Sequence, residues 1–219
     1  MEASMLGIPK VTADLKPGTY KYDVKISIGD RQMDLSVSTA IQDGGSAWTA
    51  IEYTDTPMGA MLDTAILEKG SLALRKRSVK QGPVSIHVEF SNGKAVGTRN
   101  MNGEDEPFSV DLDGPLFADA AGAYLAIGCL PLADGYATSF RNFDLQKQKA
   151  KVMELQVAGP ESVTVPAGTF DAFKVELSST DGGPAKSTVW IAKDTRTPVK
   201  MVRPIAEVAG ATLTVELLP

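Results

Sequence analysis

The sequence predicts a mainly β fold: a single-domain antiparallel half-barrel or barrel of about a dozen strands with one packed helix. Three observations carry this. Apolar and polar residues alternate along most of the chain, which is the period of a half-buried strand. Turn-forming residues separate the alternating runs at short intervals. Only one segment repeats its apolar residues at helical spacing. Residues 1–16 read as an N-terminal extension and residues 17–219 as one β-rich domain.

Tyr20, Tyr22, Val24, Ile26 and Ile28 form the first alternating series. Gly29-Asp30 turns the chain into Met33, Leu35, Val37 and Ile41, and Asp43-Gly44-Gly45-Ser46 turns it again into a strand from Trp48 to Tyr53. Val84, Ile86, Val88 and Phe90 then run to Asn92-Gly93, a strong hairpin signal because both residues tolerate positive φ. A strand from Lys94 to Met101 should return antiparallel. The later series are Phe108-Val110-Leu112, Met153-Leu155-Val157, Phe173-Val175-Leu177, Val189-Ile191 and Leu213-Val215-Leu217. Gly159-Pro160, Asp181-Gly182-Gly183-Pro184 and the Asp194 to Pro198 segment are read as turns. Alternation turns Tyr22, Val24, Leu35, Val37, Val88, Phe108, Val175 and Val189 inward.

Phe117, Ala120, Ala121, Tyr124, Leu125 and Ile127 break the pattern with helical spacing, which predicts a helix over 117–130 between Gly114-Pro115 and Pro131. Its many alanines would let it approach a sheet closely, and its expected place is against the concave face, plugging one open side.

Of the 219 residues 43% are hydrophobic and 22% charged, the composition of an ordinary globular protein. The net charge of -5, from 22 Lys and Arg against 27 Asp and Glu, argues against nucleic-acid binding, which needs a basic stripe. The short cluster Arg75-Lys76-Arg77 with Lys80 reads as a solvated strand face. The one cysteine, Cys129, lies in an apolar run and reads as a small core residue. The sole histidine, His87, falls on the polar side of its strand, so neither a zinc site nor a Ser-His-Asp hydrolase is expected. No phosphate-binding glycine loop is present, and the acidic runs Glu104-Asp105-Glu106 and Asp111-Leu112-Asp113-Gly114 read as solvated turns rather than calcium loops. No catalytic residue, metal or cofactor is therefore expected. Met1 to Met5 lacks the basic and apolar regions of an intact signal peptide, and no run is apolar enough for a spanning helix.

Apolar volume remains. Met33, Met58, Met61, Met101, Met153 and Met201 lie at or beside strand positions, together with Phe108, Phe140, Phe143, Phe173 and Trp190. They suit an ordinary packed core and equally a pocket for apolar ligands. If there is a pocket between sheet and helix, Tyr124, Phe140, Phe143 and Trp190 are the aromatic residues expected to line it. A barrel enzyme acting on an apolar substrate without metal would instead draw on Tyr53, Tyr124, Tyr136, Arg141 and Asp144, although Arg141 near Asp144 is more simply a structural ion pair.

Residues 161–176, which contain Val165-Pro166-Ala167-Gly168-Thr169-Phe170, are followed by Val189-Trp190-Ile191-Ala192 and Pro198-Val199-Lys200. This pattern resembles a domain-of-unknown-function family of bacterial envelope proteins that share a Val-Pro-Ala-Gly-Thr-Phe turn, a Trp-bearing strand and a final Pro-Val strand. The resemblance covers about the last third of the chain. It implies an extracytoplasmic, β-rich protein similar in shape to lipoprotein carriers, whose curved sheet wraps a helix and holds acyl chains. The expected function is non-enzymatic binding or carriage of a lipid-like or other hydrophobic ligand, with contact to a membrane surface. A structural or partner-binding module, appended to a larger enzyme, and a metal-free barrel enzyme are the alternatives.

Overall fold

The computed structural model of the chain describes residues 6–57, 59–181, 186–205, 208 and 210–219. Met58 and most of the Asp181 to Pro184 turn, both singled out in the sequence, lie outside the described residues. Among the described residues, fourteen strands form one antiparallel sheet. They are β1 (Gly18–Ile28), β2 (Arg31–Asp43), β3 (Ala47–Asp55), β4 (Met61–Glu68), β5 (Leu74–Gln81), β6 (Val84–Ser91), β7 (Lys94–Met101) and β8 (Glu104–Asp111), then β9 (Ala137–Asp144), β10 (Lys149–Val165), β11 (Gly168–Ser179), β12 (Ser187–Ala192), β13 (Pro198–Pro204) and β14 (Ala211–Leu217). The order is β8 to β1 followed by β14 to β9, so β1 and β14 join two meanders while β8 and β9 are left as edges. The sheet is a strongly curved half-barrel, not a closed barrel. Three strands carried weaker signals. β5 is mostly polar, Asp63 interrupts the apolar set of β4, and β9 is buried on both faces, which erases alternation.

All eight residues expected to point inward lie on the concave face. Tyr22, Val24, Val88, Val175 and Val189 are buried, while Leu35, Val37 and Phe108 are partly buried. The Asn92-Gly93 hairpin forms as expected, with φ of 50° and 71°. Gly159-Pro160 is not a turn. Gly159 sits in the middle of β10 at a bulge with φ 138°, where a missing Cβ costs nothing. Pro160 is tolerated because β9 pairs β10 only from Lys149 to Gln156, leaving an edge beyond. The tight turn is at Pro166-Ala167, between the paired Val165 and Gly168.

The helix is shorter than its apolar spacing implies. α1 covers Ala123–Gly128, and Ala118, Ala120 and Gly122 before it have positive φ. Phe117 is taken by strand-like bonding instead: it bridges to Ala73 and its N–H donates to Arg141 O (3.0 Å), while Leu116 O accepts from Leu74 N–H (3.1 Å). Residues 116–117 thus span the gap between the start of β5 and the edge strand β9. Backbone demand at that gap overrides helical periodicity.

Because the sheet is a meander, its turns alternate between two ends. The connection carrying α1 lies at the end shared with the β2–β3, β12–β13 and N-terminal segments. Cys129 O accepts from the Thr12 and Ala13 N–H groups, and a Cβ on Gly128 would lie 2.1 Å from Arg196 O. Leu15 is buried in the main core, and the Trp48 indole N–H donates to Asp14 (2.5 Å). This end is plugged. At the opposite end Ile28 and Met33 are exposed on the concave side of the β1–β2 hairpin, marking the open mouth.

Candidate functional site

Between the concave face and residues 118–127 lies a cavity of about 530 Å³, within the usual size of a small-molecule site. Apolar side chains make up about half of its sheet wall. Val24, Leu35 and Val37 come from β1 and β2, Met153 and Leu177 from β10 and β11, and Met201, Leu213 and Val215 from β13 and β14. The opposite wall is Ala120, Ala123, Tyr124, Leu125 and Ile127. The plug approaches closely because Gly122 faces Ala50 and Ile41, where a Cβ would lie 3.0 and 3.3 Å from their side chains.

One side of the cavity is polar. Arg77 binds Asp63 through two nitrogens, Nε at 3.1 Å and NH2 at 2.7 Å from Oδ2, and its NH1 lies 3.5 Å from Asp119 Oδ1. Asp119 also accepts from the backbone N–H groups of Ala120 and Phe143. Both carboxylates are buried, and their compensation by Arg77 and backbone donors is what makes that burial tolerable. Burial drives the Asp119 carboxyl above the ordinary carboxylate range, against the pull of Arg77. Glu52 has only the Thr39 hydroxyl within reach (3.3 Å) among the described residues. Burial, with Asp63 nearby, pushes its carboxyl up as well. Burial likewise raises the Tyr22 and Tyr124 hydroxyls, which stay protonated.

Sequence reasoning missed this cluster. Arg77, expected on a solvated face, occupies the inward position of β5, unlike the exposed Arg75, Lys76 and Lys80. A signal existed: Asp63 and Glu52 stand at inward positions in otherwise apolar series, registered against each other in β3 and β4.

Of the four aromatic residues expected at a ligand site, Tyr124 and Phe140 line the cavity. Phe140 is 1% exposed and meets Phe117 edge-on, with centroids 5.4 Å apart. Phe143 is buried away from the cavity lining, edge-on against Phe90 at 5.7 Å. Trp190 lies on the other face of β12 from Val189, in a separate small cluster with Val163, Val165, Ala172 and Val199. A strand apolar on both sides hides which face is the inner one. Arg141 and Asp144 form no ion pair. Arg141 donates to Leu6 O, and Asp144 caps the following turn by accepting from the Gln146 and Lys147 N–H groups. Tyr53 is exposed on the outer face, and Tyr136 packs beside the core.

A second, more open groove of about 820 Å³ crosses β4–β8 and is bordered by Ile66, Lys76, Ser78, His87, Glu89 and Val96. His87 is exposed, its Nδ1 lies 2.9 Å from Ser78 Oγ, and Lys76 pairs with Glu89 at 2.6 Å. No carboxylate among the described residues orients the histidine, so the pair lacks the third member of a hydrolytic triad. Cys129 is buried, and its thiol is pushed up to about 11, so it is not a nucleophile at neutral pH. Among the described residues no group of three or more His, Cys, Asp or Glu side chains is placed to hold a metal ion. No helix among the described residues is long and apolar enough to cross a membrane.

The chain matches a family model, described as protein of unknown function (DUF3108), over residues 19–216. The chain belongs to the DUF3108 family. No curated protein matches it. Among solved structures it is similar to the β-barrel-like protein of DUF1849 from Brucella abortus, with a TM-score of 0.61 at 10% identity, covering 97% of this chain and 98% of that one. That likeness establishes the fold and its extent. The hypothetical lipoprotein YmcC from Escherichia coli aligns at a TM-score of 0.40 and 11% identity over 96% of this chain and 92% of that one. A DUF1329 family protein from Desulfovibrio piger aligns at 0.31 and 10% over 91% and 82%. The DUF3108 fold is thus a β-barrel-like half-barrel, as the sequence resemblance implies.

Proposed function

We propose that this protein is a non-enzymatic carrier or binder of a lipid-like hydrophobic ligand in the bacterial cell envelope. The observation that carries the reading is the cavity itself: a half-barrel plugged at one end, with about 530 Å³ left between a partly apolar sheet wall and the helix side. Val24, Met153, Leu177 and Met201 offer a wall for an acyl or similar chain, and methionine adapts to varied apolar shapes. The mouth also bears exposed apolar residues, Ile28 and Met33, which suit contact with a bilayer surface from which such a ligand would be drawn. An extracytoplasmic location belongs to the same reading and rests on the resemblance to envelope proteins. Pairing with a partner through a sheet edge is less well supported: β8 presents Glu104, Asp105, Glu106 and Pro107, which oppose strand addition.

The test is binding of the neutral fluorophore N-phenyl-1-naphthylamine to the purified full chain, with native mass spectrometry and solvent extraction of co-purifying lipid. Saturable uptake with displacement by a long-chain amphiphile is expected. A protein that takes up no apolar probe and carries no extractable lipid has a closed interior, and the carrier reading falls.

A further inference from the structure

Two cations border the cavity with no direct counter-ion; Lys151 meets the charge of Asp119, and Arg203 that of Glu52, only through space. Lys151 stands on the inward side of β10, registered against Asn142, and Arg203 on the inward side of β13, registered against Leu213. Neither has a hydrogen-bond or ion-pair partner among the described residues, and in this they differ from the other bases of the region. Arg77 is taken up by Asp63 and Asp119. Lys200 also borders the cavity, but its ammonium is 2.8 Å from Glu216 Oε1 on the outer face.

The remaining acid on this side, Glu52, is shifted toward its neutral form by burial and by Asp63. Arg77, Lys151 and Arg203 stand against Asp63 and Asp119, so the cavity's polar side is left with one positive charge when Glu52 is neutral. Both stand at the mouth end, Lys151 beside the β9–β10 turn and Arg203 just before the β13–β14 loop, while the apolar wall runs inward from them. A ligand that satisfies both features has a long apolar chain and a single anionic head.

We infer that the cavity selects an anionic amphiphile, a long-chain carboxylate or alkyl phosphate, whose headgroup is held at the mouth by Lys151 and Arg203. This rests on the carrier reading and names its ligand class. Charge-assisted contacts in a partly desolvated site are stronger than neutral ones, so the head, not the chain, sets the preference.

The experiment is displacement of N-phenyl-1-naphthylamine from the full chain by hexadecanoate, hexadecyl phosphate and hexadecanol, which share one chain and differ in the head. At least one of the anions should displace the probe about tenfold more effectively than the alcohol. Whichever anion does so identifies the source of the head. K151Q/R203Q should bring that ratio toward one, K76Q on the outer face should preserve it, and added salt should weaken the anion but not the alcohol. If the probe binds but the wild-type protein treats the anions and the alcohol alike, or if K151Q/R203Q keeps the full preference, the inference is overturned and the carrier reading stands. If the probe does not bind at all, the carrier reading fails and the ligand class with it.

Discussion

At the scale of single residues the cavity holds an imbalance between polarity and solvation. Arg77 satisfies Asp63 and Asp119 with three nitrogens and is itself held between them, whereas Glu52 next to them has one hydroxyl for company. A carboxyl whose pKa is raised in the folded state stabilises the fold fully below its unfolded pKa, and that contribution is lost as pH rises through the folded pKa. Glu52 therefore favours the fold in acid and costs stability once it ionises. The expected outcome for E52Q is a protein more stable than wild type at about pH 8, with the gap closing at about pH 4, where both side chains are neutral. Urea unfolding of both proteins at the two pH values checks the sign. A variant less stable than wild type at the higher pH would show that ionised Glu52 is compensated by the neighbouring arginines after all. Burial likewise shifts Asp119 upward, so it adds a background of the same sign that E52Q leaves in place.

At the scale of elements, the plug is held by close backbone approach rather than by a long helix. Gly128 ends α1 against the β12–β13 loop, where an added Cβ would come within 2.1 Å of Arg196 O. A carbonyl cannot swing away as a flexible side chain can, so G128A should cost about 1–3 kcal/mol, the range of overpacking, measured by urea or thermal unfolding. A cost near zero would mean that the loop shifts freely and that the plug is loosely seated. The plug also shows what sequence reasoning can and cannot reach. Strands whose two faces differ, such as β1, β2 and β6, are legible because alternation reports burial directly. Residues 117–122 are not: their helical spacing is real, but Phe117 bonds to Ala73 and Arg141 across the sheet opening, a long-range demand invisible to local pattern. The same limit governs Gly159-Pro160, where two turn-forming residues mark a bulge in a long strand. It governs Trp190 as well, since Val189, Trp190 and Ile191 are all buried and only the partner strands reveal that the indole faces the outer cluster. For the site, the apolar wall was readable from alternation. The charged side was readable only in hindsight, from Glu52, Asp63 and Arg77 occupying inward positions.

At the scale of the whole molecule, the meander gives the two ends different characters. The plugged end is closed by the segment through α1 and by the N-terminal residues, with Leu15 and Cys129 buried there. At the other end stand the turns after β1, β3, β5, β7, β9, β11 and β13. The exposed large apolar side chains follow this division. Ile28, Met33, Tyr53, Leu62, Met101 and Val208 stand beside turns of the open end, and Val96 is the exception. Single exposed apolar residues need no explanation, but their gathering around the mouth of an apolar cavity fits the proposed docking to a bilayer, with ligand passing directly between membrane and interior. The net charge of -5 gives the whole molecule no general attraction to anionic headgroups, so apolar insertion supplies the docking to an uncharged bilayer. Binding to vesicles of uncharged phosphatidylcholine should then be measurable by co-sedimentation and nearly independent of salt. I28D/M33D, which places two charges on the concave lip of the β1–β2 hairpin, should abolish most of it while leaving uptake of N-phenyl-1-naphthylamine from solution intact, because neither residue lines the cavity. Vesicle binding that survives I28D/M33D would remove the open end as the membrane-facing surface.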